Sequence, residues 1–478
     1  MLPTAPQFDA ALRIVAELRV AGHEAYLAGG CVRDLLLGRE PKDYDVATSA
    51  TPDVVLAMFP RTFAVGAHFG VVLVADTACA AGDRQAEPSY GITEVATFRS
   101  DGAYADGRHP DAVRYTSSAR EDVQRRDFTI NGLLLDVERV FPQELKPGYL
   151  AQLSVRTEAP TLQEAIIDHV GGLADLDAGL VRAIGQPGER FEEDHLRMLR
   201  AVRFAARFGF EIEPQTQLAI RSLAAKIHAV SRERVRDELT RMLTEGRARQ
   251  AFELLDETGL LAEVLPEIAK MKGVEQPPQF HPEGDVWVHT LMLLQQLPAD
   301  CSFTLAWGAL LHDVGKPPTF RRAPDRIRFD GHVEVGVAMA AAICRRLRFS
   351  NDEMRQILAL VENHMRFADA PRMKTSTLKR FFRLDDFPEH LALHRMDCVA
   401  ASGNLDCWQF VRERFETMPA EAVRPEPLVT GHELIAAGYK PGASFKEMLR
   451  AVEDAQLEGQ IATAEEALKL LRERFPIP

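Results

Sequence analysis

The 478-residue chain carries 57 Lys and Arg against 70 Asp and Glu, a formal charge of −13, which excludes a uniformly basic nucleic-acid coat and leaves only a local basic patch for such a contact. With 46% hydrophobic and 27% charged residues the composition is globular, and at roughly 150 residues per domain the length suggests about three domains with sizeable cores. No apolar run approaches the ~20 residues that span a bilayer, no basic region followed by an apolar block opens the chain, and the scattered Cys31, Cys79, Cys301, Cys344, Cys398 and Cys407 form no CxxC pair, so a soluble protein of the reducing cytoplasm is expected, with no membrane partner, no disulfide framework and no thiolate zinc site.

In chain order, Leu12, Ile14, Val15 and Leu18 recur at helical spacing over 8–20, and Ala25 to Ala28 reads as a short strand ending at Gly29-Gly30 before a helix expected over 31–37. A Gly-Gly step between strand and helix lets a phosphate approach bare backbone at the positive helix end. Next comes Lys42-Asp43-Tyr44-Asp45-Val46; in a strand, alternation puts both carboxylates on one face and Tyr44 on the other. Adjacent carboxylates repel unless a cation joins them, and Mg²⁺ shared with nucleotide phosphates is the usual solution, although an Asp-x-Asp taken alone is equally a solvated acidic turn. Residues 71–74 and 92–98 read as strands, with an Ala, Gly and Pro-rich hairpin excursion over 77–90. After Arg190 the 3.6-residue periodicity continues to the end, broken at 276–283, 317–330 and 421–427, the expected boundaries inside an all-helical remainder.

Two further segments suggest nucleotide chemistry. Arg125 and Arg126 read as phosphate ligands, and Asp127 with Asn131 as partners for ribose hydroxyls, while Asp127 can also serve as a helix N-cap. Glu193-Asp194-His195-Leu196-Arg197 reads as a helix start, with Asp194 and Arg197 three apart on one face. A carboxylate accepting from an exocyclic amine beside a guanidinium donating to a ring nitrogen suits cytosine and adenine, whereas uracil and guanine present a carbonyl and a ring N–H there. Each lost contact costs ~1–3 kcal/mol, about ten- to a hundredfold in discrimination. The competing expectation is an intrahelical Asp194–Arg197 salt bridge worth a few tenths of a kcal/mol. From 197 to 249 there are 12 basic residues against 6 acidic, a local balance of +6, with Arg200, Arg203 and Arg207 on one helical stripe.

GGCVRDLLLG at 29–38 followed by KDYDVAT at 42–48 resembles the signature of the class II tRNA nucleotidyltransferase and bacterial poly(A) polymerase family. RRDFTING at 125–132 is similar to its ribose-recognition motif, DHVGGLADL at 168–176 to its head-to-neck hinge, EDHLRMLRAVRF at 193–204 to its base-reading motif, and SRERVRDEL at 231–239 to the neck motif that follows. The resemblance implies that Asp43 and Asp45 are catalytic metal ligands with Glu94 as a third carboxylate. It further implies that Gly29, Gly30 and Arg33 cradle the triphosphate, and that Arg125, Arg126, Asp127, Asn131, Glu193, Asp194, Arg197 and Arg200 contact the nucleotide. Arg203 and Arg207 become an RNA footprint for the tRNA acceptor stem. The polar segment 99–113 resembles the family's flexible loop, with Arg108 and Asp111 as its charged elements; enzymes restricted to adding CC lack that loop, so a full CCA adder or an A-adding enzyme is implied. The chain departs from the pattern in a longer 137–164 connection and in Gly132, where the family usually has Ala. Residues 430–449 resemble the helical tail that anchors the tRNA elbow, and their Gly-Tyr-Lys-Pro-Gly turn is equally ordinary connection chemistry.

His289, the adjacent His312 and Asp313, His332, His364 and Asp397 recur in an order that resembles the HD phosphohydrolase superfamily. Imidazole with carboxylate suits a divalent transition metal with open positions, where a bound water becomes a nucleophile for phosphoesters. His289, His312, Asp313 and Asp397 form the main set, His332 and His364 either a second ion's ligands or phosphate contacts, and Lys316 a steering charge for an anionic substrate. The expected fold is α+β: a mixed-sheet nucleotidyltransferase head over 1–185, a neck and body over 186–272, an HD domain over 273–420 and a helical tail over 421–478. The expected function is template-independent addition of CCA to tRNA from CTP and ATP with Mg²⁺ and release of pyrophosphate. An A-adding enzyme or a poly(A) polymerase shares this fold; an HD phosphodiesterase with an RNA-binding head, or a non-catalytic RNA scaffold, belongs to other classes.

Overall fold

The structure, a computed structural model, describes residues 6–63, 70–75, 91–101, 113–140, 162–279, 281–282 and 284–476. Packing divides the chain into two units, Met1–Met242 with Gln250–Val264, and Leu243–Arg249 with Leu265–Pro478. The first gathers the expected head and most of the neck; the second gathers the HD segment and the tail. The expected excursion over 77–90, the loop residues Arg108 and Asp111 and most of the 137–164 connection lie outside the described residues.

The first unit begins with α1 (Pro6–Val20), β1 (Ala25–Ala28), α2 (Gly30–Leu36), β2 (Asp45–Thr48), α3 (Pro52–Met58), β3 (Thr62–Phe63), β4 (Val71–Ala75), β5 (Ile92–Thr97), β6 (Arg99–Asp101), β7 (Val113–Tyr115), α4 (Ala119–Gln124), β8 (Leu133–Leu135), α5 (Val137–Val140), β9 (Ile166–Asp168) and α6 (Gly172–Ala178). Phe8, Leu12, Val15 and Leu18 form the buried face of α1, as their spacing requires. Seven strands form one sheet in the order β3-β4-β5-β2-β1-β8-β9, and only the β2–β5 pair is parallel. Val46, Ala47 and Thr48 are all buried, so β2 is covered on both faces, and each fully buried Val or Leu stabilises this centre by about 1.5–3 kcal/mol. The strand begins at Asp45. Asp43, expected within it, is exposed in the preceding extended segment.

After β9, Asp168 ties down the turn that leads into α6. Its Oδ1 accepts from the amides of Val170, Gly171 and Gly172 at 3.0, 2.9 and 3.0 Å, and its Oδ2 from Leu173 at 3.0 Å. Then come β10 (Leu180–Val181), α7 (Pro187–Glu193), α8 (Leu196–Phe208), β11 (Glu211–Ile212), α9 (Pro214–Leu223), α10 (Arg232–Thr244), α11 (Ala248–Glu257) and α12 (Leu260–Val264). The remainder is therefore not wholly helical, since β10 and β11 pair in parallel.

The second unit contains α13 (Pro266–Ala269), α14 (Val286–Leu294), α15 (Phe303–Leu311), α16 (Lys316–Thr319), a hairpin of β12 (Arg321–Arg322) and β13 (Ile327–Arg328), α17 (His332–Arg346), α18 (Asn351–Asn363), α19 (Thr375–Phe381), α20 (Phe387–Ala400) and five further helices to Arg474. The Pro-rich stretch 317–330 is thus occupied by α16 and a hairpin inside one unit. Helices α14 and α15, VWVHTLMLL and FTLAWGALL, are apolar nearly all round and buried. Gly315, just before α16, lies against the start of α17: a Cβ there would come within 2.0 Å of the His332 carbonyl oxygen.

Candidate active site and metal centre

The β1–α2 turn, the β2 and β5 strands, the Arg125–Asn131 segment and α8 surround a cavity of about 550 Å³. Gly29, at φ +74°, forms the turn, and any Cβ there would approach Arg126 Nη1 to 2.8 Å. Parallel pairing sets Asp45 opposite Glu94, and both line the cavity. Burial, then the Glu94 charge, push the Asp45 carboxyl up to about 6, with Asp43 adding to the shift and Arg126 opposing it. Glu94 is raised by burial and by Asp43, again against Arg126. Asp45 and Glu94 are thus two cavity carboxyls raised by burial and by neighbouring acidic groups, a repulsion that a divalent cation would relieve.

A chain of polar contacts runs across the cavity from Arg33. That side chain is 3% exposed, binds Asp34 at 2.7 Å and donates to the Asn131 side-chain Oδ1. Asn131 donates to Asp127 Oδ1 at 3.0 Å, and Arg200 donates to Asp127 Oδ2 at 2.7 Å. Burial would raise the Asp127 carboxyl, but Arg200 and Asn131 hold it down at about 2. The helical turn after Asp127 is capped by Phe128, which corrects the expectation of an Asp127 N-cap. Arg125 and Arg126 both line the cavity, and both bind the buried Asp122, at 2.7 and 3.0 Å.

The 193–197 segment differs from the expected single helix start. Asp194, at φ −148°, ψ 104°, breaks the chain between α7 and α8. Both Asp194 and Arg197 line the cavity, and the expected intrahelical pair is replaced by other partners. Asp194 binds Arg234 at 2.7 Å; Arg197 binds Glu193 and donates to the Arg190 carbonyl at 2.9 Å. The Arg200, Arg203 and Arg207 stripe faces this same cavity. Arg203 is 4% exposed and paired with Glu238 at 2.6 Å, and Arg207 reaches Asp34 at 3.7 Å, so these residues do not form the outward footprint expected of them. Asp122, Arg190 and Arg234 were missed as single residues; Arg234 lies inside the SRERVRDEL motif, one helical turn before Glu238.

In the second unit the HD residues converge on Asp313, which is 2% exposed. Its Oδ2 lies 3.2 Å from His312 Nε2, 3.9 Å from His289 Nε2 and 2.6 Å from Lys316 Nζ. Its Oδ1 lies 3.7 and 3.9 Å from the Nε2 atoms of His364 and His332. Asp397 Oδ1 is 3.1 Å from His289 Nε2. His312, His332 and His364 each engage a backbone carbonyl through Nδ1, those of Ala309, Phe329 and Val361 at 2.9, 3.0 and 2.7 Å. A ring that donates Nδ1–H to backbone presents an Nε2 lone pair, the arrangement that metal-ligating histidines use. Two groups, His289, His312 and Asp313, and Asp313, His332 and His364, have ligand atoms close enough to share an ion. Burial would raise the Asp313 carboxyl, but His312 and Lys316 hold it well below its usual range, whereas burial lowers His364 to about 4. Gln276, missed in the sequence, accepts from Lys316 at 2.6 Å.

Three family models match the chain: "Poly A polymerase head domain" over 25–182, "Probable RNA and SrmB- binding site of polymerase A" over 209–272, and "HD domain" over 286–400. The chain is 38% identical to the CCA-adding enzyme of Lactobacillus johnsonii over 297 residues, which span 61% of this chain and 65% of that relative. It is 31% identical to the CCA-adding enzyme of Geobacillus stearothermophilus over 468 residues, 97% of this chain and 96% of the relative. The crystal structure of the Bacillus stearothermophilus CCA-adding enzyme in complex with CTP is similar with a TM-score of 0.68, at 27% identity and 98% coverage of both chains. No helix among the described residues is long and apolar enough to cross a membrane.

Proposed function

The chain belongs to the CCA-adding enzyme family of tRNA nucleotidyltransferases, and from that premise we propose that it completes tRNA 3′ ends in the cytoplasm with CTP and ATP, without a nucleic-acid template. The observation that carries the reading is the single cavity in which Asp45 and Glu94 face Gly29, Gly30 and the base-reading Asp194 and Arg197. Asp45 and Glu94, with Asp43, would hold Mg²⁺, which when bound helps activate the attacking 3′ hydroxyl and steadies the leaving pyrophosphate. The bare backbone at Gly29-Gly30, with Arg33 and Arg126, binds the triphosphate; Asp127 and Asn131 orient the ribose. Asp194 accepts from the exocyclic amine of cytosine or adenine while Arg197 donates to the ring nitrogen, contacts that uracil and guanine cannot make. The four segments 1–185, 186–272, 273–420 and 421–478 then divide into chemistry, base selection and RNA grip, a metal-dependent domain and a tail. Incubation of tRNA lacking its last three nucleotides with each labelled NTP tests the reading. Incorporation of C and then A, abolished by Asp43→Ala with Asp45→Ala, is expected; incorporation that survives both substitutions, or long adenosine tails on unrelated RNA, overturns it.

A second activity is supported by the Asp313 cluster: a phosphoester hydrolase in which His289, His312, Asp313 and Asp397 would hold one transition-metal ion, and His332 and His364 a second. Phosphomonoester or cyclic-nucleotide hydrolysis that is lost in Asp313→Ala while CCA addition persists is the expected result.

A further inference from the structure

Asp194 is the non-helical residue between α7 and α8, so no helix fixes the direction of its side chain. Its carboxylate is held by Arg234 on α10, with Nη2 2.7 Å from Oδ2 and Nη1 3.3 Å from Oδ1, and the Leu196 amide donates to Oδ1 at 3.0 Å. A guanidinium fork that meets both oxygens fixes the plane of a carboxylate as well as its position; Oδ1 already accepts from Arg234 and Leu196, and Oδ2, which accepts from Arg234, keeps lone-pair capacity for a further donor. Arg234 is itself held in place. One turn along α10, Glu238 binds Arg203 of α8 at 2.6 Å, so one face of α10 contacts the cavity-forming segment at two points. Asp194 lines the cavity and Arg234 does not.

We infer that Arg234 is a specificity-positioning residue. It holds the Asp194 carboxylate in one orientation, so that the exocyclic amine of cytosine or adenine finds an acceptor and the carbonyl of uracil or guanine finds a negative oxygen that cannot turn away. The inference rests on the proposed role of Asp194 as base reader. Released from Arg234, the carboxylate rotates, weakening the amine contact and relieving the carbonyl repulsion together. The loss therefore falls on discrimination between bases more than on turnover.

The experiment compares kcat/KM for CTP against UTP on tRNA lacking CCA, and for ATP against GTP on tRNA ending in CC. The enzymes are the unsubstituted chain, Arg234→Leu, Arg234→Lys, Asp194→Ala and the Asp194→Ala/Arg234→Leu double variant. Arg234→Leu should lower both ratios by about tenfold to a hundredfold, chiefly through a higher KM for CTP and ATP, and Arg234→Lys should restore part of the difference. The double variant should discriminate no worse than Asp194→Ala alone. These ratios do not depend on how much of a preparation is folded, so a destabilised variant still answers. If Asp194→Ala leaves the ratios unchanged, the base-reading assignment falls. If Asp194→Ala collapses them while Arg234→Leu keeps them within about twofold, or lowers all four nucleotides alike, the positioning role is overturned.

Discussion

Asp45 on β2 and Glu94 on β5 are register partners on adjacent parallel strands, and each carboxyl is pushed up by burial and by its acidic neighbours. Held this way without a cation, they destabilise the fold that carries them. Asp45→Asn should therefore raise the melting temperature of the chelator-treated enzyme by a few degrees, at roughly 2–4 °C for each kcal/mol of relieved repulsion. Mg²⁺ should stabilise the unsubstituted enzyme more than the variant, and nucleotide addition by the variant should fall roughly a hundredfold or more. Melting curves in chelator and in Mg²⁺ check this; a variant that melts lower in chelator contradicts the repulsion.

How much of this was readable beforehand depends on the range over which each contact acts. The β1–α2 turn was legible because a strand, two glycines and a helix are consecutive, and Tyr44 is buried as alternation from Asp45 predicts. Asp43 falls two residues before β2, because the start of that strand depends on pairing with β1 and β5, which local period does not record. The Asp194–Arg234 and Arg203–Glu238 pairs escaped for the same reason: α8 and α10 each read as amphipathic helices, and the packing of one on the other decides which arginines are buried. The HD residues are legible as an ordered set, but that Asp313 turns one oxygen toward His312 and the other toward His364 depends on how the ends of α15 and α18 pack together.

The Asp127–Arg200 pair gives an acid limit to the stability of the first unit. Arg200 and Asn131 hold the Asp127 carboxyl at about 2 against its ordinary 3.8. A depressed carboxyl contributes stability above its unfolded value, and that contribution is lost as pH falls from about 4 to about 2. The contribution at neutral pH is about 2 kcal/mol. Urea midpoints measured down this range should fall more steeply for the unsubstituted enzyme than for Asp127→Asn; parallel curves would remove Asp127 from the acid transition.

In the HD centre, Asp313 presents its two oxygens to two different sets of imidazoles. Calorimetric titration of the chelated enzyme with Ni²⁺ or Mn²⁺ should find two ions in this unit. Asp313→Asn should lose both, and His332→Ala should lose one. CCA addition should stay within about twofold in each variant, because these residues belong to the second unit and line none of the nucleotide cavity of the first. One ion in the unsubstituted enzyme, undisturbed by His332→Ala, would assign His332 to structure or substrate.

At Gly132, where the resemblance leads one to expect Ala, the structure leaves little room for a methyl group. A Cβ there would lie 2.7 Å from Val170 Cγ2, 3.0 Å from Val123 Cγ1 and 3.3 Å from the Thr129 carbonyl oxygen. Val170 opens the turn into α6, its amide bound to Asp168 Oδ1 at 3.0 Å, so its backbone is held beside Gly132. Gly132→Ala alone should overpack this contact and cost about 1–3 kcal/mol, read as a lower melting temperature with nucleotide selection unchanged. Adding Val170→Ala opens the space for the new methyl, and the double variant should recover most of the loss. Because the two side chains touch, the substitutions should be strongly non-additive. Strictly additive losses would mean that Val170 does not set the identity of residue 132, and that the glycine answers to Val123 or to the Thr129 backbone instead.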